Sequence, residues 1–226
     1  MNLLMVLTSH EQFGATGYQT GLWLECFTTA YYAFTEVGAS LTLASAKGGS
    51  TPIDPRSFAG RASVPSIEKF RADMVARTLL SDALRLDQVD LRDFDAAYFP
   101  GGHGALWDLA TDANCQRITL ALLATGKPLA LCGHAPAALI NLTDSSGKPL
   151  VGGVSMTCFS NSEESASGLD HALPYSLQDE LIRLGAHYSK APDGTAHVIQ
   201  HGTLITAQNP ASVLDAAHRL LQMLPP

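Results

Sequence analysis

The run Pro128-Leu129-Ala130-Leu131-Cys132-Gly133-His134-Ala135-Pro136-Ala137-Ala138-Leu139 decides how the rest of this 226-residue chain is read. Its apolar first half ends abruptly in a polar turn and restarts as an alanine-rich segment, the pattern of a strand, a tight elbow and a helix. In α/β enzymes such an elbow lifts one side chain above the carboxyl ends of a sheet. It also aims the free N–H groups of the new helix at whatever sits there. Cys132 and His134 at this turn point to thiol chemistry. Gly133 separates them, and that one residue sets how much of the chemistry follows.

Working outward, strands are expected over residues 3–8, 40–45, 95–100 and 128–131, within 149–159, and at 187–189, 196–200 and 203–207. Helical spacing predicts helices over 21–37, 66–84 and 112–125, after the elbow, and over 178–184 and 210–223. Residues 47–65 are rich in Gly, Ser and Pro and read as a surface loop. Strands alternating with helices predict an α/β fold with a mostly parallel, doubly wound sheet covered on both faces. No internal repeat or second boundary is visible, so residues 1–226 read as a single domain.

The composition, 46% hydrophobic and 15% charged, suffices for a full core without a disulfide or metal staple. A net charge of −7 and no clustered Lys/Arg stripe argue against a nucleic-acid or anionic-membrane partner. The apolar opening Met1-Asn2-Leu3-Leu4-Met5-Val6-Leu7 is too short for a membrane span and lacks a basic flank, so it reads as the first strand. The four cysteines Cys26, Cys115, Cys132 and Cys158 form no C-x-x-C pair and have no His at ligand spacing. No metal site or disulfide framework is expected, and a reducing cytoplasm fits best.

Five blocks, in order, carry a resemblance. They are Thr20-Gly21-Leu22-Trp23-Leu24-Glu25; Tyr98-Phe99-Pro100-Gly101-Gly102-His103-Gly104-Ala105-Leu106-Trp107-Asp108; the elbow from His134; Thr157-Cys158-Phe159-Ser160-Asn161-Ser162-Glu163-Glu164; and Gln208-Asn209-Pro210-Ala211-Ser212. Together they resemble the DJ-1/PfpI superfamily, and most closely its branch of Hsp31-like glyoxalase III and type 1 glutamine amidotransferase-like proteins. The resemblance implies a flavodoxin-like sandwich, a homodimer, no cofactor, and lyase chemistry on small carbonyls of the methylglyoxal-to-lactate class. It also implies a Cys nucleophile on the elbow, a His just after it, an acid orienting that His, and a helix Glu that moves protons. Glu25, His134 and Glu164 match the last three. Gly133 stands where the Cys belongs, with Cys132 one residue early.

Consecutive strand residues point to opposite faces, so Cys132 is expected to turn into the sheet unless Gly133 permits a bulge that brings the thiol back. Cys26 and Cys158 are either small core hydrophobes or fillers of the space left at the elbow. The Gly-rich turn lacks phosphate-loop spacing and is expected to supply an oxyanion-hole N–H at Gly102, shared with an elbow amide. Trp107 reads either as a pocket wall or as a core aromatic. Three functional readings stay open. The first is glyoxalase III-type chemistry using Glu25 and His134. The second is a diverged noncovalent acid/base enzyme (hydratase, eliminase or isomerase). The third is a non-catalytic binding or chaperone-like protein, or a variant in which Cys was changed to Gly.

Overall fold

The computed structural model describes residues 1–58 and 64–225, so residues 59–63 of the loop expected over 47–65, and residue 226, lie outside the described residues. Its strands are β1 (Asn2–Leu7), β2 (Ser40–Ser45), β3 (Leu84–Arg85), β4 (Ala96–Phe99), β5 (Leu129–Cys132), β6 (Ser155–Met156), β7 (His187–Tyr188), β8 (Val198–His201) and β9 (Leu204–Ala207). The helices are α1 (Leu24–Glu36), α2 (Pro65–Ala72), α3 (Met74–Ser81), α4 (Ala113–Ala124), α5 (Asn161–Ser167), α6 (Leu177–Arg183) and α7 (Val213–Gln222). Seven strands form one sheet in the order β3-β2-β1-β4-β5-β9-β8, parallel throughout except for the β8–β9 hairpin. This is the doubly wound, mostly parallel α/β architecture that the alternation of elements predicts.

Alternation along the strands sorts the core into two layers. Leu3, Met5, Tyr98, Ala130, Cys132, Ile205 and Ala207 pack with α1 and α7 on one face. Leu4, Val6, Ala97, Phe99, Leu129 and Leu131 pack with α4 and α6 on the other. Both faces are covered, which is why the strands read as near-continuous apolar runs.

Local chemistry corrects several expected boundaries. The helix expected over 66–84 is two helices, because Asp73 takes an extended backbone and its side chain accepts a hydrogen bond from Ala76 N, capping α3. Pro65 opens α2, where a missing N–H costs nothing. The segment after the elbow is a five-residue 3-10 stretch, Ala135–Leu139, rather than an α-helix. Ala137 N bonds back to His134 O and Ile140 N to Ala137 O, each three residues away. The strand expected within 149–159 is β6, which pairs with β7 outside the main sheet.

Two glycines set the geometry at the carboxyl ends of β4 and β5. A Cβ on Gly102 (φ +112°) would lie 2.3 Å from Gly21 O and 2.4 Å from Trp23 N, so only Gly lets the turn after β4 press against the entry to α1. Gly133, in the elbow at φ +60°, is left-handed too, yet a Cβ there would meet no heavy atom within 4 Å. The two positions should therefore separate in a denaturant series. Gly133→Ala is expected to cost about 1–2 kcal/mol, the left-handed backbone penalty alone. Gly102→Ala must also push backbone apart and is expected to cost about 3 kcal/mol or more.

Candidate active site

A cavity of about 580 Å³ opens at the carboxyl ends of the strands, the position at which open α/β sheets bind ligands. Glu25, Gly102, His103, Gly133, His134, Phe159 and Arg56 are among its lining residues. Glu25 arrives as the second residue of α1, half-buried, with its carboxylate near the positive end of that helix. His134 arrives on the turn that follows β5. Trp23 N to Gly101 O (3.4 Å) and Gly104 N to Gly21 O (3.3 Å) join the β4 turn to the start of α1, which holds the two elements together.

Glu164 is the centre of the site. Ser160 caps α5 in a box with Glu163, and this places both glutamates in the buried first turn. One Glu164 oxygen accepts from His134 Nε2 at 2.5 Å and the other from His103 Nε2 at 2.9 Å. His103 Nδ1 lies 3.1 Å from Arg56 Nη2. A guanidinium can only donate, so Nδ1 accepts and Nε2 of His103 carries the proton given to Glu164. Arg56 is in turn gripped by the buried Asp54 through Nε (2.9 Å) and Nη2 (2.6 Å), and Thr20 Oγ1 donates to Asp54 at 2.9 Å. The chain Asp54–Arg56–His103–Glu164–His134 is continuous. Among the described residues no protein group bonds His134 Nδ1, so its lone pair is available on a ring that lines the cavity.

The electrostatics follow from this chain. Burial pushes the Glu164 carboxyl up, but the facing imidazoles outweigh it and hold the group well below the usual carboxylate range. Burial pushes His103 down to about 4, with His134 adding to the effect and Glu164 opposing it. The donor atoms of His103, His134 and Glu164 lie within 4.8 Å of one another, a spacing that could hold a metal ion. The same atoms are committed to the relay, and a metal on His103 Nε2 would require a proton on Nδ1 and the loss of the Arg56 contact.

All four thiols are buried. Cys132 is fully buried, with Sγ 3.8 Å from Cys26 Sγ and 3.7 Å from Asn209 O, on the sheet face opposite to Leu131. Cys26 borders the cavity but is 2% exposed, and its contact with Cys132, together with burial, raises its thiol pKa. Cys158 is in the other core layer, also raised, chiefly by burial. Trp107 stacks on His10 at a centroid distance of 4.8 Å and packs edge-on against Phe13, off the cavity wall. Gly133 N donates to Ala207 O, whereas the N–H groups of Gly102 and His134 have no acceptor among the described residues.

Sequence reasoning missed His103, Arg56 and Asp54. His103 was visible as the one functional side chain in Gly101-Gly102-His103-Gly104, while Arg56 and Asp54 sit in a loop without a motif. Glu163 proves to be a structural hub, accepting from Ser160 Oγ (2.7 Å), Gln208 Nε2 (3.0 Å), Asn209 Nδ2 (2.8 Å) and Gly194 N (3.0 Å). This explains why the block at residues 208–212 accompanies the block ending in Glu164.

No family model matches the chain. The bovine glutamine amidotransferase-like class 1 domain-containing protein 1 is 30% identical over 210 residues, 92% of this chain and 88% of the relative. The solved structure of Rapid Encystment Protein 24 KDa from Francisella tularensis superposes with a TM-score of 0.93 at 36% identity, covering 100% of this chain and 99% of that one. This chain belongs to the glutamine amidotransferase-like class 1 domain family. Its fold is that of the DJ-1/PfpI proteins, and its relatives include Hsp31-like glyoxalases. The Saccharomyces cerevisiae glutathione-independent glyoxalase Hsp31 is 33% identical over 144 residues, 61% of this chain but only 60% of that relative's length. The Candida albicans glyoxalase III structure shares the fold at a TM-score of 0.87 and 23% identity.

Two measurements check the geometry of this DJ-1/PfpI site. His103 is held near 4 against about 6.5 when unfolded, so its contribution to stability is complete above pH ~6.5 and is lost as pH falls toward 4. Glu164 adds a second loss below the unfolded carboxylate range. Unfolding free energies from urea titrations should therefore decline from pH 6.5 to 4, by up to about 1.4 kcal/mol per pH unit for the one group. His103→Gln should flatten that decline whatever its own stability. In the second measurement, native protein should react slowly with alkylating reagents at all four cysteines, which are buried, and quickly once unfolded. Fast native labelling of Cys132 would place its thiol in the cavity instead.

Proposed function

We propose that the protein converts small reactive carbonyl compounds by acid–base proton transfer between Glu25 and His134, without a covalent bond to one of its own thiols. The observation that carries this reading is the elbow. Gly133 stands over the cavity beside a fully oriented His134–Glu164 pair, while Cys132 is sealed against Cys26 on the far side of the strand. Relatives named as glutathione-independent glyoxalases support the substrate class.

For a 2-oxoaldehyde the route runs through the hydrate, in which water has added to the aldehyde carbon. Glu25 takes the proton from C1, the electron pair forms the C1–C2 double bond, and the oxygen on C2 becomes a hydroxyl, giving an enetriol. Glu25 then returns a proton to C2 as the C1 hydroxyl closes to the acid carbonyl. His134 accepts and delivers the hydroxyl protons at Nδ1. Its transient positive charge is stabilised by Glu164, which stays ionised across the neutral range. The N–H groups of Gly102 and His134 supply donors for the developing oxyanion. The product is a 2-hydroxy acid isomeric with the hydrate.

Two variants test the assignment on methylglyoxal. Glu25→Gln keeps size and polarity but cannot carry a proton, and it should lower kcat about 10²–10⁴-fold with the fold intact. Cys132→Ala should leave kcat near that of the parent. Loss of activity in a folded Cys132→Ala protein would mean that the thiol takes part, and a fully active Glu25→Gln protein would remove the acid–base reading altogether.

A further inference from the structure

Resting on the proposed carbonyl chemistry, we infer that the preferred substrate is a thiol adduct, the hemithioacetal of a 2-oxoaldehyde with a low-molecular-weight thiol, whose sulfur occupies the open elbow position at Gly133. The elbow is the first ground. A side chain at residue 133 would enter the cavity beside His134, and the direction its Cβ would take is free of any heavy atom within 4 Å. The elbow is thus open at the point where a substrate atom could approach both His134 and the free N–H groups of Gly102 and His134.

Size and surroundings are the second ground. A cavity of about 580 Å³ lies within the range that holds drug-sized ligands and is far more than a three-carbon carbonyl fills. Phe159, whose ring lies 4.8 Å from that of His134, and Cys26 give the wall near the elbow a polarizable character, which suits a thioether sulfur. The same cavity is also lined by the exposed Arg71–Glu68 ion pair and by Asp193, which pairs with Lys190, polar surface that a bare dicarbonyl does not reach. Of the protein's own thiols, Cys26 borders the cavity but is almost fully buried with its sulfur against that of Cys132, and Cys115 and Cys158 are in the opposite core layer.

The reaction balances without an oxidant or reductant. The thiol adds to the aldehyde in solution, giving a C1 that bears hydrogen, hydroxyl and sulfur. Glu25 removes the C1 hydrogen as a proton and the electron pair forms the C1–C2 double bond. His134 accepts the C1 hydroxyl proton at Nδ1 and delivers it to the C2 oxygen. Glu25 then protonates C2 as the C1 oxygen becomes a carbonyl. The product is the isomeric 2-hydroxyacyl thioester, and the sulfur remains bonded to C1 throughout.

The test follows methylglyoxal with the purified protein, alone and with 2-mercaptoethanol or glutathione, recording thioester by ultraviolet absorbance and 2-hydroxy acid by chromatography. Thioester formation at least about tenfold faster than the thiol-free reaction, and lost in Glu25→Gln, is the expected result. Gly133→Cys should gain thiol-free turnover and lose its dependence on added thiol, because its own side chain then fills the elbow. Thiol-free conversion that added thiol does not accelerate would overturn the adduct inference and leave the carbonyl reading standing. No conversion under any condition by the parent protein would overturn both. The comparison of the parent with and without thiol decides the matter even if Gly133→Cys does not fold.

Discussion

A buried carboxylate between two imidazoles organises this site. Glu164 loses hydration on entering the interior, a cost that is recovered only if both oxygens find charged or strongly polar donors in good geometry. His134 and His103 provide them, at 2.5 and 2.9 Å. That requirement fixes much else. His103 must present Nε2–H, so its Nδ1 needs a donor, which is Arg56. Arg56 must be neutralised in turn, by Asp54. The ionised Glu164 thereby sets which nitrogen of His134 is left to the cavity.

The elbow after β5 is the second constraint on the site. A left-handed residue at the end of β5 lets the chain turn over the cavity, and with Gly there the conformation carries no Cβ penalty. A side chain at that point would carry the strain for the sake of a reactive group. Here the strain and the group are both absent, while the hydrogen-bonded chain from Asp54 to His134 around the elbow is continuous. On the proposed reading, Glu25 and His134 line the cavity while Gly133 offers no thiol at the elbow, so the adduct-forming atom would come from water or from the ligand.

Much of this was legible in the sequence because strand parity is a strong constraint. With Leu129 and Leu131 on one face, Cys132 had to share the other with Ala130, and it does. Glu25, His134 and Glu164 were legible through their blocks. Arg56 and Asp54 were not, since they act through a loop with no periodicity and reach His103 across 47 and 49 residues of chain. The break at Asp73 was hidden because the apolar spacing continues through it, and only the Asp73–Ala76 cap reveals two helices. The two-residue strand β3 carries no alternation to read and fell at the end of an expected helix, whereas β6 and β7 lie within strands expected at 149–159 and 187–189. The short 3-10 stretch after the elbow kept the alanine-rich composition of a helix while closing its hydrogen bonds over three residues.

The account stands on proton transfer through Glu25 rather than on a direct shift of hydrogen between carbons. The most direct measurement is the conversion of methylglyoxal in D₂O, with proton NMR of the 2-hydroxyacyl product. A proton taken up by a carboxylate at the wall of an open cavity exchanges with solvent, so the account predicts deuterium at C2 of the product. Full retention of the substrate's own hydrogen at C2 would contradict it.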